Sequence, residues 1–314
     1  MNKLFLVVPC YNEQECLNDS ANKLLNLFTS LMEKNKINND SKIVFVDDGS
    51  KDKTWSIIES LNSTNNIFQG VKLSRNKGHQ NAVFAGVSYA SEQADIVISI
   101  DADLQDDINA IEKMIDEYKN GYEIVYGVRT SRETDTVFKR TTANAYYKVL
   151  EKMGVEIVNN HADFRLMSQR VCKEFLKYNE TNLFLRGIVP QLGFKSTTVG
   201  YERKERTAGE SKYPLKKMLA LAWNGITSFS VKPLKMITFF GTLITVLSLL
   251  VITVFSILFL CDVLYASFGF YILTSVWLVG GLIMLMLGIL GEYIGKAYQE
   301  IKHRPLFFIE KIVK

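Results

Sequence analysis

The stretch Ile96-Val-Ile-Ser-Ile-Asp-Ala-Asp-Leu-Gln105 decides how this chain is read. Its first half is a short apolar run rich in β-branched residues, the pattern of a strand covered on both faces. Its second half turns abruptly acidic. Asp101 and Asp103, separated by Ala102, both approach one hard divalent cation if the strand breaks there, and Gln105 adds a neutral oxygen. Mg²⁺ and Mn²⁺ favour this oxygen set and share it with substrate phosphates and water. A solvated acidic turn is the plain alternative, because Asp-x-Asp is a common triplet. The position after a strand, and a second carboxylate pair at Asp47 and Asp48, favour the metal.

Four similar runs lie outward from this one. Leu4–Val8, Ile43–Val46, Gly70–Leu73 and Glu123–Tyr126 read as further buried strands. Between them, Leu17, Leu24, Leu27, Phe28 and Leu31 recur with helical spacing. So do Trp55, Ile58 and Leu61, and again Ile108, Ile111, Met114, Ile115 and Tyr118. Strand–helix alternation predicts an α/β domain with a mostly parallel sheet flanked by helices. In such sheets ligands bind beyond the carboxyl ends of the strands. There the sequence places Pro9-Cys-Tyr-Asn-Glu13, Asp47-Asp-Gly-Ser50, Arg75-Asn-Lys-Gly-His79, Asp101-Ala-Asp-Leu-Gln105 and Gly127-Val-Arg129.

Composition and missing motifs exclude other classes. A hydrophobic share of 47% rules out disorder, and four Cys in 314 residues rule out a disulfide scaffold. Cys10, Cys16, Cys172 and Cys261 lack metal-ligand spacing and read as small hydrophobes. No Gly-x-Gly-x-x-Gly or Gly-x-x-x-x-Gly-Lys-Ser/Thr follows a strand, against NAD enzymes and P-loop NTPases. The opening run is too short in apolar residues for a signal peptide, and Val8-Pro9 is no cleavage site.

The net charge of +4 is unevenly placed. Residues 201–235 hold 8 basic and 3 acidic side chains, a collar ahead of two uncharged runs of 26 and 29 residues, at 236–261 and 263–291. About 20 apolar residues span a bilayer, so both runs read as transmembrane helices joined in a hairpin. Lys232 and Lys235 precede the first run, while Lys296, Lys302 and Arg304 follow the second. The positive-inside rule then puts the body and the tail, 292–314, in the cytoplasm. Apolar and basic residues interleave around Tyr213–Phe229, as in a helix lying in the membrane interface.

Six ordered motifs carry a resemblance: Pro9–Glu13, Asp47–Ser50, Asp101–Gln105, Asp163-Phe-Arg-Leu166, Phe184-Leu-Arg-Gly187 and Arg206-Thr-Ala-Gly-Glu-Ser-Lys-Tyr213. With the hairpin, the chain resembles the polyprenyl-phosphate glycosyltransferases, family 2 enzymes of the GT-A fold. The resemblance covers nearly the whole length. It implies a catalytic domain over 1–205, an acceptor loop and juxtamembrane segment over 206–235, and inverting transfer of one sugar from a nucleotide sugar. UDP-glucose or UDP-GlcNAc is the expected donor, and undecaprenyl phosphate in the plasma membrane the expected acceptor. Mg²⁺ or Mn²⁺ is implied as cofactor, a homo-oligomer (a tetramer) as the assembly, and no nucleic acid as partner.

By residue, the resemblance implies that Pro9, Tyr11, Glu13 and Asp48 bind the nucleoside. Asp101, Ala102, Asp103 and Gln105 take the metal and diphosphate. Arg129, Arg206, Ser211 and Lys212 take the acceptor phosphate. Asp163 stands where a catalytic carboxylate is expected; orienting a cation such as Arg165 is favoured over acting as a base. Family members often read Asn-x-Gly-Lys after the third strand, whereas this chain has Asn76-Lys-Gly-His79. A solvated turn is therefore as good a reading of His79 as a diphosphate contact. A processive polysaccharide synthase is the competing enzyme, but its Gln-x-x-Arg-Trp motif is absent. A non-catalytic membrane scaffold would not need three acidic segments at sheet ends.

Overall fold

The computed structural model describes residues 1–130, 161–178, 180, 183–202, 232–260 and 268–314. Strands and helices alternate as β1 (Leu4–Cys10), α1 (Leu17–Glu33), β2 (Lys42–Asp47), α2 (Thr54–Thr64), β3 (Phe68–Leu73), α3 (His79–Ser91), β4 (Ile96–Ser99), α4 (Ala110–Lys119) and β5 (Ile124–Arg129). Further on lie β6 (His161–Ser168), α5 (Gln169–Phe175), α6 (Leu185–Gln191) and β7 (Ser196–Tyr201). The long helices α7 (Lys232–Leu260) and α8 (Phe268–Ile301) follow, then β8 (Ile309–Val313).

One eight-stranded sheet runs β7-β5-β6-β4-β1-β2-β3-β8. The β1–β2, β1–β4, β2–β3 and β5–β7 pairs are parallel. The exceptions are β6, antiparallel to both β4 and β5, and β8, antiparallel to β3. Successive side chains of a strand face opposite sides. Leu4, Leu6 and Val8 of β1 therefore join one core with Leu17, Leu24 and Phe28 of α1, while Phe5 and Val7 join the other with Val83 and Val87 of α3. Both faces are covered, which is why the strands read as continuous apolar runs.

The five expected strands and the three amphipathic helices are present, with shifted ends. Strand β1 continues through Pro9 to Cys10, and β5 continues to Arg129, where loops were expected. Helix α3 was not foreseen, because it has no polar stripe to give it an amphipathic period. Residues Ala82 to Val87 are all buried. At Gly86 the helix nearly touches the sheet: an added Cβ would lie 2.3 Å from Val7 Cγ1 and 2.8 Å from Val46 Cγ2. The residues expected as a tail return to the sheet as β8, where Gly70 pairs with Val313 and Val71 with Ile312.

The described parts of the two uncharged runs, 236–260 and 268–291, fall in α7 and α8. Phe239, Leu247, Leu250, Val276, Met284 and Leu285 are each more than half exposed. Among the described residues, no helix is long and apolar enough to cross a membrane. Residues 261–267, where the hairpin turn was expected, lie outside the described residues, as do 203–231.

The contact at Gly86 gives a test of how tightly α3 is seated. Gly86→Ala should destabilise the protein by about 1–3 kcal/mol, the range for overpacking a filled core. It should lower the thermal unfolding midpoint, whereas an unchanged midpoint would show that α3 is free to lift from β1.

Candidate active site

At the carboxyl edge, hydrogen bonds join the loops that follow β1, β2 and β3. Asp48 N donates to Cys10 O at 2.9 Å. Asn12 N donates to Ser50 Oγ, and Lys51 N donates back to Asn12 Oδ1, both at 2.9 Å. Glu13 N donates to Thr54 Oγ1 at 2.9 Å. Asp48 is 2% exposed and accepts from Lys77 N at 2.7 Å and Gly78 N at 2.8 Å. Its carboxylate thus fixes the turn that starts α3. Gly49 makes the approach possible: its φ is +67°, and a Cβ there would lie 2.5 Å from the Arg75 carbonyl carbon.

The turn delivers His79 between two carboxylates. Its Nε2 lies 3.5 Å from Asp101 Oδ1 and 3.5 Å from Asp163 Oδ2. Asp163, on β6, also accepts from Arg165 Nη2 at 2.6 Å and from Arg186 Nη2 at 3.3 Å. Loss of solvent opposes charge on His79. The hydrogen bond to Asp163 and the charges of Asp101 and Asp163 outweigh it and raise its pKa to about 9. Burial alone would raise the Asp163 carboxyl. Arg186, the His79 hydrogen bond and Arg165 together hold it well below the ordinary carboxylate range. Asp163 is therefore an ionised anchor for three cationic groups.

Asp101 sits where β4 ends. Its carboxyl is raised, first by desolvation and further by the Asp163, Asp106 and Asp103 charges, with His79 pulling the other way. Its Oδ1 is buried and makes no hydrogen bond. The acidic loop turns at Leu104, in the left-handed region with φ 44°, and is tied to α1 by Ser20 Oγ donating to Ala102 O at 2.7 Å. Asp103 Oδ1 accepts from Gln105 N at 3.3 Å, and Gln105 is 6% exposed. Among the described residues no three His, Cys, Asp or Glu side chains form a ready-made metal cage. A two-carboxylate loop with one orphaned buried oxygen still fits Mg²⁺ or Mn²⁺, which complete their shells with substrate phosphates and water.

The remaining expected site residues divide by position. Pro9 is buried in β1 opposite Val46. Tyr11 is exposed at the rim. Glu13 accepts from Cys16 Sγ at 3.1 Å. Arg129 closes β5 and points Nη2 at Asp106 Oδ1, 3.2 Å away. Arg206, Ser211 and Lys212 lie outside the described residues. Cys10, Cys16 and Cys172 are free thiols, and burial raises the first and last.

Sequence reasoning gave no role to Arg186, Asp106 or Tyr201. Arg186 stands within the quoted Phe184–Gly187 motif, which was signal enough. Asp106 follows Gln105 directly. Tyr201 carries no motif at all.

A sheet edge that sets paired carboxylates beside guanidinium and imidazolium groups is equipment for group transfer on phosphate-bearing substrates. Residues 5–176 match the family model for glycosyl transferase family 2, and the chain belongs to that family. It is 50% identical to YkoT of Bacillus subtilis (strain 168), an uncharacterized glycosyltransferase, over 98% of this chain and 91% of that one. It is 38% identical to the bactoprenol glucosyl transferase of Shigella phage SfII, over 98% of both chains. Among solved structures, the mannosyltransferase PcManGT from Pyrobaculum calidifontis, in complex with GDP-Man and Mn²⁺, aligns at TM-score 0.45 and 14% identity, covering 95% of this chain and 84% of that one.

The Asp163 cluster predicts a pH signature. Its folded pKa is depressed below 3.8, so its stabilisation is complete above that value and is lost as pH falls through the folded pKa. Asp163→Asn should therefore be less stable than the parent from about pH 5 to 7, with the gap closing below about pH 3. Thermal unfolding across that series checks it; a gap constant with pH would assign the loss to packing.

Proposed function

We propose that this chain transfers one sugar, with inversion, from a nucleotide sugar to undecaprenyl phosphate at the cytoplasmic face of the plasma membrane. UDP-glucose or UDP-GlcNAc is the donor in this reading. The observation that carries it is the end-to-end likeness to bactoprenol glucosyl transferases, at 38% identity over 98% of both chains. The GT-A assignment and the homo-oligomer belong to the same reading.

Within it, the uncharged runs 236–261 and 263–291 are the two arms of a membrane hairpin. Support comes from uncharged runs of 26 and 29 residues and from the exposed apolar side chains of both helices. The basic collar over 201–235 then lies at an anionic leaflet, each cation adding about 1 kcal/mol of attraction. Tyr11 and Glu13 lie at the nucleoside rim, and Pro9 and Asp48, buried beneath it, are the other nucleoside residues of this reading. Asp101, Asp103 and Gln105 would hold Mg²⁺ or Mn²⁺, which neutralises diphosphate charge when bound. Arg129, Arg206, Ser211 and Lys212 receive the acceptor phosphate. Asp163 orients Arg165, Arg186 and His79, and its depressed pKa makes it a weak base near neutral pH.

The direct test supplies membranes and undecaprenyl phosphate with a panel of labelled UDP- and GDP-sugars. Labelled polyprenyl-monophosphate sugar is the expected product, and none with any donor would overturn the proposal. In that assay Asp103→Asn should nearly abolish transfer in a folded protein. EDTA should do the same, reversed by Mg²⁺ or Mn²⁺, and full activity in EDTA would remove the metal from the reading.

Asp163→Asn should lower the rate about 100-fold or more, the scale of losing preorganised electrostatics. The acidic limb of its pH–rate profile should stay near pH 6, the second ionisation of a phosphate monoester. Loss of that limb, or rescue of the rate at high pH, would make Asp163 the base.

A further inference from the structure

Asp106 is a buried carboxylate, 3% exposed, immediately after the Asp101–Gln105 loop. A carboxylate so placed is costly unless paired and hydrogen-bonded. Its Oδ1 accepts from Tyr201 OH at 2.7 Å and from Arg129 Nη2 at 3.2 Å. Arg129 Nε also donates to Tyr201 OH at 3.4 Å, closing a triangle. The triangle ties the acidic loop, the end of β5 and the end of β7 at one point.

Tyr201 is held from every side. Its ring meets Phe164 edge-on at 5.4 Å. Gly127 leaves room for both rings, since a Cβ there would lie 2.7 Å from Phe164 and 3.0 Å from Tyr201. Its carbonyl accepts from Thr130 N at 3.0 Å and from Thr130 Oγ1 at 3.1 Å. The guanidinium of Arg129 is thus gripped along its Nε–Nη2 edge by rigid partners. Its side chain is 25% exposed, and among the described residues Nη1 has no hydrogen-bond partner, so that end can meet an incoming oxygen.

We infer that Asp106 and Tyr201 are positioning residues, which fix Arg129 beside the acidic loop so that its outer edge meets a phosphate oxygen. The inference rests on the proposed phosphate-directed transfer and assigns two residues that the reading leaves without a role. A salt bridge serving stability alone would, when broken, lower the unfolding midpoint without lowering kcat/KM of the folded enzyme. A device that aims Arg129 becomes irrelevant once Arg129 is gone.

The test is a mutant cycle on the full-length chain in membranes. Asp106→Asn keeps the acceptor for Tyr201 but drops the charge that holds Arg129. It should lower kcat/KM for undecaprenyl phosphate about thirty-fold while leaving nucleotide-sugar Kd within about twofold. Tyr201→Phe, the variant to use should Asp106→Asn fail to fold, should lower it about fivefold with the same unchanged Kd. In an Arg129→Ala background neither change should reduce kcat/KM further. Multiplicative losses in that background, or equal damage to donor binding, would overturn the inference.

The same cycle run on metal-dependent UDP release without lipid separates this idea from the functional reading. Non-additive UDP release, in a parent that transfers nothing to polyprenyl phosphate, overturns the acceptor and leaves Asp106 assigned. Transfer by the parent with multiplicative losses does the reverse.

Discussion

A single carboxylate with more cations around it than it can neutralise sets the shape of the catalytic edge. Asp163 receives Arg165, Arg186 and His79. Arg165 is 1% exposed and would be an uncompensated buried charge without it, a situation costing several kcal/mol. Arg165 Nη1 in turn donates to Leu185 O at 3.2 Å, and Leu185 N donates to Gln80 Oε1 at 2.9 Å. The start of α6 is therefore pinned to β6 on one side and to the first turn of α3 on the other. Those same elements carry Arg186 and His79, so the charges that need Asp163 are delivered by the bonds that surround it. Strand β6 must be antiparallel and wedged between β4 and β5 for this to work, because that register sets Arg165 opposite both Ser99 and Tyr126.

The N-terminal half of this arrangement was legible because its signals are local. Apolar runs mark β1, β2 and β4, the last two ending directly in acid, and helical periodicity marks α1, α2 and α4. The rest failed for three distinct physical reasons. Helix α3 is covered so completely that it has no polar stripe. Strand β6 carries a fully buried arginine, which breaks the apolar run that would announce it, and only a tertiary partner makes that arginine tolerable. Strand β7 lies at the sheet edge with Ser196 and Gly200 exposed, so its sequence looks like a loop. The site divides the same way. Asp101 and Asp103 could be read from spacing, whereas the approach of His79 to Asp163 needs residues 84 positions apart in the numbering to meet across two packed elements.

Strand β8 has a consequence for the long helices. The sheet does not end before them; its last strand comes after them and pairs with β3. An open β3 edge would present unpaired backbone groups, and β8 covers it. Lys72–Glu310 and Lys311–Glu59 join the strand to its neighbours, but such exposed ion pairs contribute little. Register is set instead by the backbone ladder and by Val313, whose Cγ2 fills the space above Gly70. The chain thus enters the sheet again only after both α7 and α8 have been traversed.

In the proposed reading, a phosphate acceptor accounts for the fixed charges of this edge without calling for a general base. An attacking hydroxyl must lose a proton, so an enzyme acting on one needs a group poised to take it. A phosphate monoester has its second pKa near 6 and arrives at neutral pH already ionised. The obstacle is then repulsion, because a diphosphate and a phosphate must be brought together in line. Asp163 held far below its ordinary pKa, His79 raised to about 9 and Arg129 locked to Asp106 are poor proton acceptors near pH 7 and good fixed charges. The His79 shift preserves a positive charge and the Asp163 shift a negative one, so neither group exchanges a proton readily near pH 7.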